Sequence, residues 1–598
     1  MNSCMRRTLI QTCLLTAALA LPAVAQGQFG YTTHNGATSI TNYTGPGGAV
    51  TIPSAINGLP VTSIDYRAFW ENESVTSVTI PNSVTNIGDF AFSACSSLTS
   101  VTIPNSVTSI GESVFYSCSS LTNVTIPDSV INIGYAAFCG CTSLTNVRIG
   151  YSVTSIADGA FSICSSLTSV TIPNSVTSIG ESAFHSCSSL TNVTIGNGVT
   201  SIADGAFSVC SSLTSVTIAS SVTNIGHEAF SECTSLTAIT VDTNNPAYSS
   251  VNGVLFDKTK TTLVEYPGGL NGSYAIPDSV TRIGLLAFSE CRLLTDITIG
   301  NNVINIGNEA FASCPSLTSV TIPNSVANIG IYAFWECDSL TSVALPDSVT
   351  NIGALAFSSC SSLMAITVDA NNPVYSSVNG VLFDKSQTRL VEYPGGLDGS
   401  YTIPDSVISI GDDAFVGCLS LTNVTIPDNV LNIGSEAFSS CSSLTSVRIP
   451  NSVTNIGYGA FSGCASLTSV YFKGDSPAAN GTVFVDYYFD GGVSYKATAY
   501  ILPGTTGWDV FSANTGIPAM PWVPFIQTGD ADFGVRTNQF GFNINWVSGQ
   551  TVVIDASANL HNPAWTPVGT NTFTSDSSYF SDPQWSNYPV RFYRLRMP

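Results

Sequence analysis

The chain has 598 residues, 44% hydrophobic and only 9% charged, and 39 acidic against 17 basic side chains leave a formal net charge of −22. That balance excludes a nucleic-acid-binding surface, which needs clustered Lys and Arg to neutralise phosphates, and it disfavours electrostatic attachment to an anionic membrane. With so few charges, Ser, Thr and Asn must carry the solubility.

At the N-terminus, Arg6 and Arg7 precede an apolar run from Leu9 to Leu21, and Ala23-Val24-Ala25 gives a small-x-small cleavage pattern. Residues 1–25 therefore read as an export signal removed before Gln26. Cys13 lies inside the apolar run rather than after it, which argues against lipoprotein attachment. No later stretch holds ~18 uninterrupted apolar residues, so no membrane span is expected in the mature chain. Residues 26–60 are expected to form an N-terminal cap.

From residue 61 to 470 the chain repeats one 23-residue unit, such as Leu98 to Ser120. Its Cys recurs every 23 residues from Cys95 to Cys233, again from Cys291 to Cys360, and again from Cys418 to Cys464, always three residues after a Phe. Counting the Phe gives 15 copies; the first, at Phe69, has Asn72 in place of the Cys. A short period with fixed apolar positions predicts a solenoid whose units bury their faces against their neighbours. Within a copy, Val101 and Ile103 alternate with Ser100 and Thr102, which predicts a short strand with one buried face. Pro104 ends it, lacking an N–H for the ladder. Val107 and Ile110 are the next inward anchors, and Phe115 and Cys118 fit one helical or 3₁₀ turn with both side chains inward.

Two near-copies, 242–273 and 369–400, interrupt the rhythm 127 residues apart, so a block of several repeats was duplicated. In the first, Val254-Leu255-Phe256 and Leu263-Val264-Glu265-Tyr266 flank a polar turn and read as a β-hairpin. Residues 471–522 are expected to form an end cap around the strand Ala499 to Pro503. Residues 523–598 lack the repeat; strands at Gln550 to Ala556 and Val590 to Leu595 predict a small antiparallel β domain. Its basic ending, Arg591 to Arg596, reads first as ordinary solvated arginines, with a separate attachment or sorting contact on an acidic chain as the alternative.

The consensus Leu-x-x-Val-x-Ile-Pro, Val-x-x-Ile-Gly, Ala-Phe-x-x-Cys resembles the leucine-rich repeats of the BspA-like bacterial surface-protein family. The resemblance covers Val50 to Tyr471. It implies a right-handed α/β solenoid, with a parallel β-sheet on one side and short helical turns on the other, on an exported protein linked to adhesion or ligand binding. It implies no active site. The segment Tyr579-Phe580 through Arg591 to Arg596 resembles terminal modules of large secreted proteins of verrucomicrobia-like bacteria.

Several residues invite a chemical reading. The only close Cys pair is Cys139-x-Cys141, so the ladder lacks metal-site spacing. Equivalent side chains of stacked coils point the same way, which favours buried free thiols over disulfides, with Cys139 as the accessible exception. An outward Thr column, including Thr102, Thr125, Thr171, Thr194 and Thr217, resembles an ice-binding ladder, but Arg148, Arg448 and Ala344 break it, and Thr is a good exposed strand former. Asp89, Glu112, Asp158, Glu181, Asp204 and Asp412 share one register position; calcium or glycosidase chemistry is conceivable there, and acids complementing a turn dipole are the preferred reading. Asp242-Thr-Asn244-Asn245-Pro246 reads as an Asx-type turn rather than a calcium loop. The four His (His34, His185, His227 and His561) sit in no catalytic motif. Trp70 and Trp335 each follow a ladder Phe and are the ligand-binding candidates, since exposed aromatics stack on sugars or anchor partners.

The expected function is a secreted or cell-surface, non-enzymatic interaction or adhesion protein that binds an extracellular protein or glycan without cofactor or metal. The alternatives are a secreted polysaccharide-binding or polysaccharide-degrading protein with a Trp-rich accessory module, and a structural surface-layer component.

Overall fold

The computed structural model describes residues 27–487, 493–494, 497–536 and 539–598; the export signal expected at 1–25 lies outside the described residues. The chain forms two compact units. The first runs to Gly399 and adds Ser409–Leu421 and Gly434–Cys441, and the second holds Ser400–Ile408, Thr422–Ile433 and Ser442–Pro598.

In the first unit each 23-residue copy makes one coil of a β-solenoid. Ser169–Ile172 pairs in parallel with Asn192–Ile195, so that Val170 faces Val193 and Ile172 faces Ile195. Because the period is constant, every inward side chain meets its own copy in the next coil. Seven strands from Gly48–Thr51 to Asn192–Ile195 form one parallel sheet, and six two-residue strands from Ser109–Ile110 to Asn224–Ile225 form a second. The predicted anchors Val101, Ile103, Val107, Ile110, Phe115, Cys118 and Leu121 are all buried.

The side opposite the sheets is made of tight turns rather than helix. Tyr116 N–H donates to Ser113 O and Cys118 N–H to Phe115 O, the three-residue spacing of a 3₁₀ turn. The intervening N–H groups of Ser113, Phe115 and Ser117 instead reach Tyr135, Ala137 and Cys139 in the next coil. A helix aims every N–H along its own axis; here alternate donors leave sideways. The alternation needs left-handed residues, Ser113 at φ 51° and Ser117 at φ 55°, and equivalents recur at Ser182 and Ser186. The turn side is thus a third hydrogen-bonded ladder between coils.

The core is columnar. Phe69, Phe92, Phe115, Phe138, Phe161, Phe184, Phe207 and Phe230 stack face to face; the Phe184–Phe207 centroids are 5.2 Å apart with rings 1° from parallel. Beside them runs the thiol column. Cys118 Sγ donates to Phe92 O at 3.1 Å and Cys141 Sγ to Phe115 O at 3.2 Å, each reaching the carbonyl of the preceding coil's Phe.

Each insert is a three-stranded meander. Tyr248–Val251 pairs antiparallel with Val254–Asp257, which pairs antiparallel with Thr262–Glu265. The second pairing is the expected hairpin. The first strand was not expected, and it turns through Asn252 (φ 50°) and Gly253 (φ 85°), a sequence suited to a type I′ turn. Asn245 is fully buried: its amide donates to Ala219 O and Val222 O, and its Oδ1 accepts from Ala247 and Tyr248 N–H. With Asn244 N–H on Asp242 Oδ1 at 2.8 Å, this segment is an Asx-type turn.

After the insert the aromatic column restarts with tyrosine. Tyr266 stacks on Phe288 at 4.8 Å, and Cys291 Sγ donates to Tyr266 O, as ladder Cys elsewhere donate to Phe. Tyr393 does the same with Phe415 and Cys418. Glu265-Tyr266 and Glu392-Tyr393 therefore occupy the place of Ala-Phe, and a glutamate stands where the regular coils bury an alanine or, before Phe115, Val114.

In the second unit, Ser446–Ile449, Ser469–Phe472, Thr498–Ile501 and Ala519–Pro521 follow one another in parallel. The helix Trp508–Thr515 lays Trp508 and Phe511 against Phe472, with centroids 4.8 and 5.3 Å away, and stops at left-handed Gly516. Two small antiparallel sheets complete the unit, one around Gln539–Asn545 and one of Thr566–Thr572, Thr551–Ser557 and Phe592–Arg596. Their core of Phe542, Ile544, Trp546 and Ile554 also takes in Leu502 and Trp522.

Candidate functional site

Trp70 is well exposed at the start of the solenoid. It follows Phe69, whose inward turn aims the next side chain outward; Trp70 is 42% and Tyr66 57% exposed. Between them stands Arg67, held in the left-handed region at φ 56°. Its guanidinium carbon lies 4.6 Å from the Trp70 ring centroid, 5.0 Å from that of Tyr66 and 5.5 Å from that of Phe90. Tyr66 and Phe90 meet edge to face at 5.8 Å. The exposed Tyr116 repeats the register of Trp70, and the exposed Tyr135 that of Tyr66. In the next coils the same positions carry Asp158 and Ser162, then Glu181 and His185. Around Arg67 the aromatic group makes a planar, partly apolar surface with a cation at its centre. Such a surface suits sugar rings and the hot-spot residues of protein partners.

Trp335, the other candidate, is half-buried and meets Tyr332 edge to face at 5.9 Å. The structure does not bring the two Trp together; they stand more than ten coils' worth of sequence apart.

The register acids are used internally. Asp89, Asp158, Asp204 and Asp412 each accept, through Oδ1, the backbone N–H of the same position one coil on: Glu112, Glu181, His227 and Ser435, each at 2.8 Å. The carboxylate thus supplies that N–H with its acceptor. For these four of the six acids an inter-coil bond replaces the turn-dipole reading. The outward Thr column stands exposed on the strands, and Thr217 and Thr240 exchange a hydroxyl hydrogen bond at 2.9 Å. His185 meets Ser208 Oγ through Nδ1 at 2.7 Å.

Every described cysteine is a free thiol, and all but Cys139 are buried. Burial pushes the Cys95 and Cys187 thiols up to about 12, and Cys118 and Cys164 well above the ordinary thiol range. Thiolate is the reactive form, so a native-state thiol probe is expected to modify Cys139 alone, while denaturation without reductant releases the whole ladder. Mass spectrometry that finds Cys187 and Cys210 labelled in the native state, or cross-linked, contradicts the packed-thiol column.

The basic ending is engaged within the β region, although the Arg594 and Arg596 side chains remain 47% and 41% exposed. Arg594 and Arg596 both bind Asp555, whose side chain is 2% exposed, at 3.1 and 3.0 Å, and Arg591 binds buried Asp582 at 2.8 Å. Strand pairing of Phe592–Arg596 with Thr551–Ser557 sets Arg594 opposite Asp555. The last strand's charge is thus tied up in holding the β region together.

Sequence reasoning missed Glu265 and Glu392, 8% and 6% exposed, each at the edge of a cavity beside its insert. Burial holds both carboxyls above the usual range, Glu265 at about 8 and Glu392 at about 7. The alternation of Thr262 to Glu265 hides them, and only alignment of Glu-Tyr with Ala-Phe would have exposed the anomaly.

Coils of this length, with a parallel sheet, an inward Phe and a Cys ladder, define a leucine-rich-repeat solenoid. The chain belongs to the BspA-type leucine-rich repeat family: the model described as "BspA type Leucine rich repeat region (6 copies)" matches residues 62–173, 154–272, 270–386 and 399–487. No curated protein matches the chain. Among solved structures it is similar to a leucine rich cell surface protein from Faecalibacterium prausnitzii, at 29% identity over 75% of this chain and 94% of that one, with a TM-score of 0.45. It is also similar to a leucine-rich repeat protein from Bacteroides ovatus, at 27% identity over 74% and 93%, with a TM-score of 0.40. Among the described residues no helix is long and apolar enough to cross a membrane.

Proposed function

We propose that this is an exported, non-enzymatic adhesion or interaction protein that holds an extracellular protein or glycan on the outer surface of its coils. Family membership supports a binding role, and the observation that carries the reading to a place is the Tyr66–Arg67–Trp70–Phe90 group. The interior of the solenoid is taken up by packing and its register aspartates by inter-coil bonds, which leaves outward side chains as its contact chemistry. Secretion is part of the proposal and rests on the sequence of residues 1–25.

The test is an array of extracellular proteins and glycans probed with the full chain and with Trp70→Ala. An exposed aromatic anchor removed from a contact costs about 2 kcal/mol, roughly thirtyfold in affinity. Binding that survives Trp70→Ala and Tyr66→Ala undiminished would move the contact elsewhere. Turnover of an arrayed polysaccharide, lost on changing one carboxylate, would replace the proposal with an enzyme.

A further inference from the structure

The two inserts make two related cavities with different floors. One, about 340 Å³, is bounded by Ile225, Glu228, Val264, Glu265, Arg282 and Leu285. The other, about 230 Å³, is bounded by Leu355, Ser358, Val391, Glu392 and Asp413. Glu265 and Glu392 are 127 residues apart and equivalent in the duplicated block. In the second cavity the glutamate is satisfied from within, since Ser358 Oγ donates to Glu392 Oε1 at 3.0 Å. In the first, Ser231 stands at the position of Ser358, yet among the described residues no hydrogen bond reaches the Glu265 carboxylate; its surroundings are burial and the nearby charge of Glu228. A carboxylate more than nine-tenths buried, without a donor and on the wall of an open cavity, is an incomplete arrangement.

We propose that the notch at Glu265 receives a lysine side chain of a protein partner, its ammonium paired with Glu265 and its apolar stem lying along Ile225, Val264 and Leu285. The stem chemistry fits the walls, since a lysine buries four methylenes while its charge seeks an acceptor. A metal ion fits less well: among the described residues no group of three or more His, Cys, Asp or Glu stands close enough to hold one. The notch deepens the binding role proposed above, at residues separate from the Trp70 group.

Binding is coupled to a proton. Facing Glu265 are Glu228 and His227 on the preceding coil, Tyr248 on the first strand of the insert, and Arg282 on the following coil, with the neutral thiols Cys233 and Cys291 behind. Of these only Arg282 is a fixed cation, and it is exposed at the rim. Burial and Glu228 keep the carboxyl protonated at neutral pH, so an arriving ammonium displaces that proton.

Titration calorimetry of the full chain with N-acetyl-lysine methylamide tests this, with N-acetyl-norleucine methylamide and calcium chloride as controls. The lysine probe should bind about tenfold or more tightly at pH 8 than at pH 6, and near pH 7 buffers of different protonation heat should report close to one proton released per probe bound. Glu265→Gln should weaken the probe about tenfold or more, whereas Glu392→Gln, in the internally satisfied copy, should leave it unchanged. Equal binding of the norleucine probe, calcium binding abolished by Glu265→Gln, or lysine binding indifferent to Glu265→Gln each overturns the proposal. If Glu265→Gln does not fold, the wild-type proton count decides, and no release overturns it. The Trp70 reading survives any of these failures, because its own test uses different residues and ligands.

Discussion

Phe207→Ala is expected to destabilise its neighbourhood by about 3–5 kcal/mol and to fray the array rather than unfold it. Phe207 is fully buried between Phe184, 5.2 Å away, and Phe230, 5.7 Å away, so the deletion leaves a hole bounded by two rings that lose their stacking partner on that side. Its backbone is bonded on both sides as well, with Phe207 N–H donating to Ala229 O and Cys233 Sγ donating to Phe207 O. A solenoid couples each coil to its nearest neighbours, so hydrogen exchange should quicken over residues 184–233 and stay slow around Phe115. Uniform, all-or-none exchange across every coil would show a cooperativity that this stack of local contacts does not predict.

Stability should fall as pH rises from about 4.5 to 8. Glu265 and Glu392 have an unfolded value near 4.5 and folded values of about 8 and 7, raised chiefly by burial. Below pH 4.5 both are protonated in either state, and burying them costs no charge. Above it the unfolded chain gives up protons that the native state keeps, so stability drops with pH until the folded values are passed. The window closes near pH 7 for Glu392 and near pH 8 for Glu265. The full shifts correspond to about 3 and about 5 kcal/mol. Melting curves between pH 5 and 8 check this: the wild type should lose melting temperature across the range, and Glu265→Gln should flatten the profile most. A melting temperature that rises with pH in both proteins would show that these carboxyls ionise freely in the folded state.

The parts of the fold that repeat were legible and the parts that do not were only partly so. Fifteen copies vote on each inward position, which is why Val101, Ile103, Phe115 and Cys118 lie where the period puts them. The same copies could not distinguish a 3₁₀ turn from a ladder of alternating donors, because the difference lies in the φ of residues such as Ser113 and Ser117, whose side chains carry no signal for it. The insert hairpin was visible, but its extra strand hung on Asn252-Gly253, a two-residue turn signature. The ion pairs of the C-terminal arginines were not legible because their partner Asp555 is some forty residues away in sequence. Of the candidate residues, Trp70 is exposed and grouped with other aromatics, while Trp335 is half sheltered by Tyr332.

The restart of the aromatic column at each insert has a mechanical consequence. Stacked rings run from Phe69 to Phe230, then from Tyr266 to Phe357, and start again at Tyr393. The buried apolar side chains divide at the first of these breaks too, into one cluster ending at Leu255 and another beginning at Val254. A stacked column under tension parts first where its stacking is interrupted, and the meanders are such interruptions. Pulled from its ends, this unit should part first at the inserts and then give up its coils in small successive steps, as nearest-neighbour coupling requires. For a molecule that tethers one surface to another in flow, those steps would act as a shock absorber, giving up chain while keeping its grip.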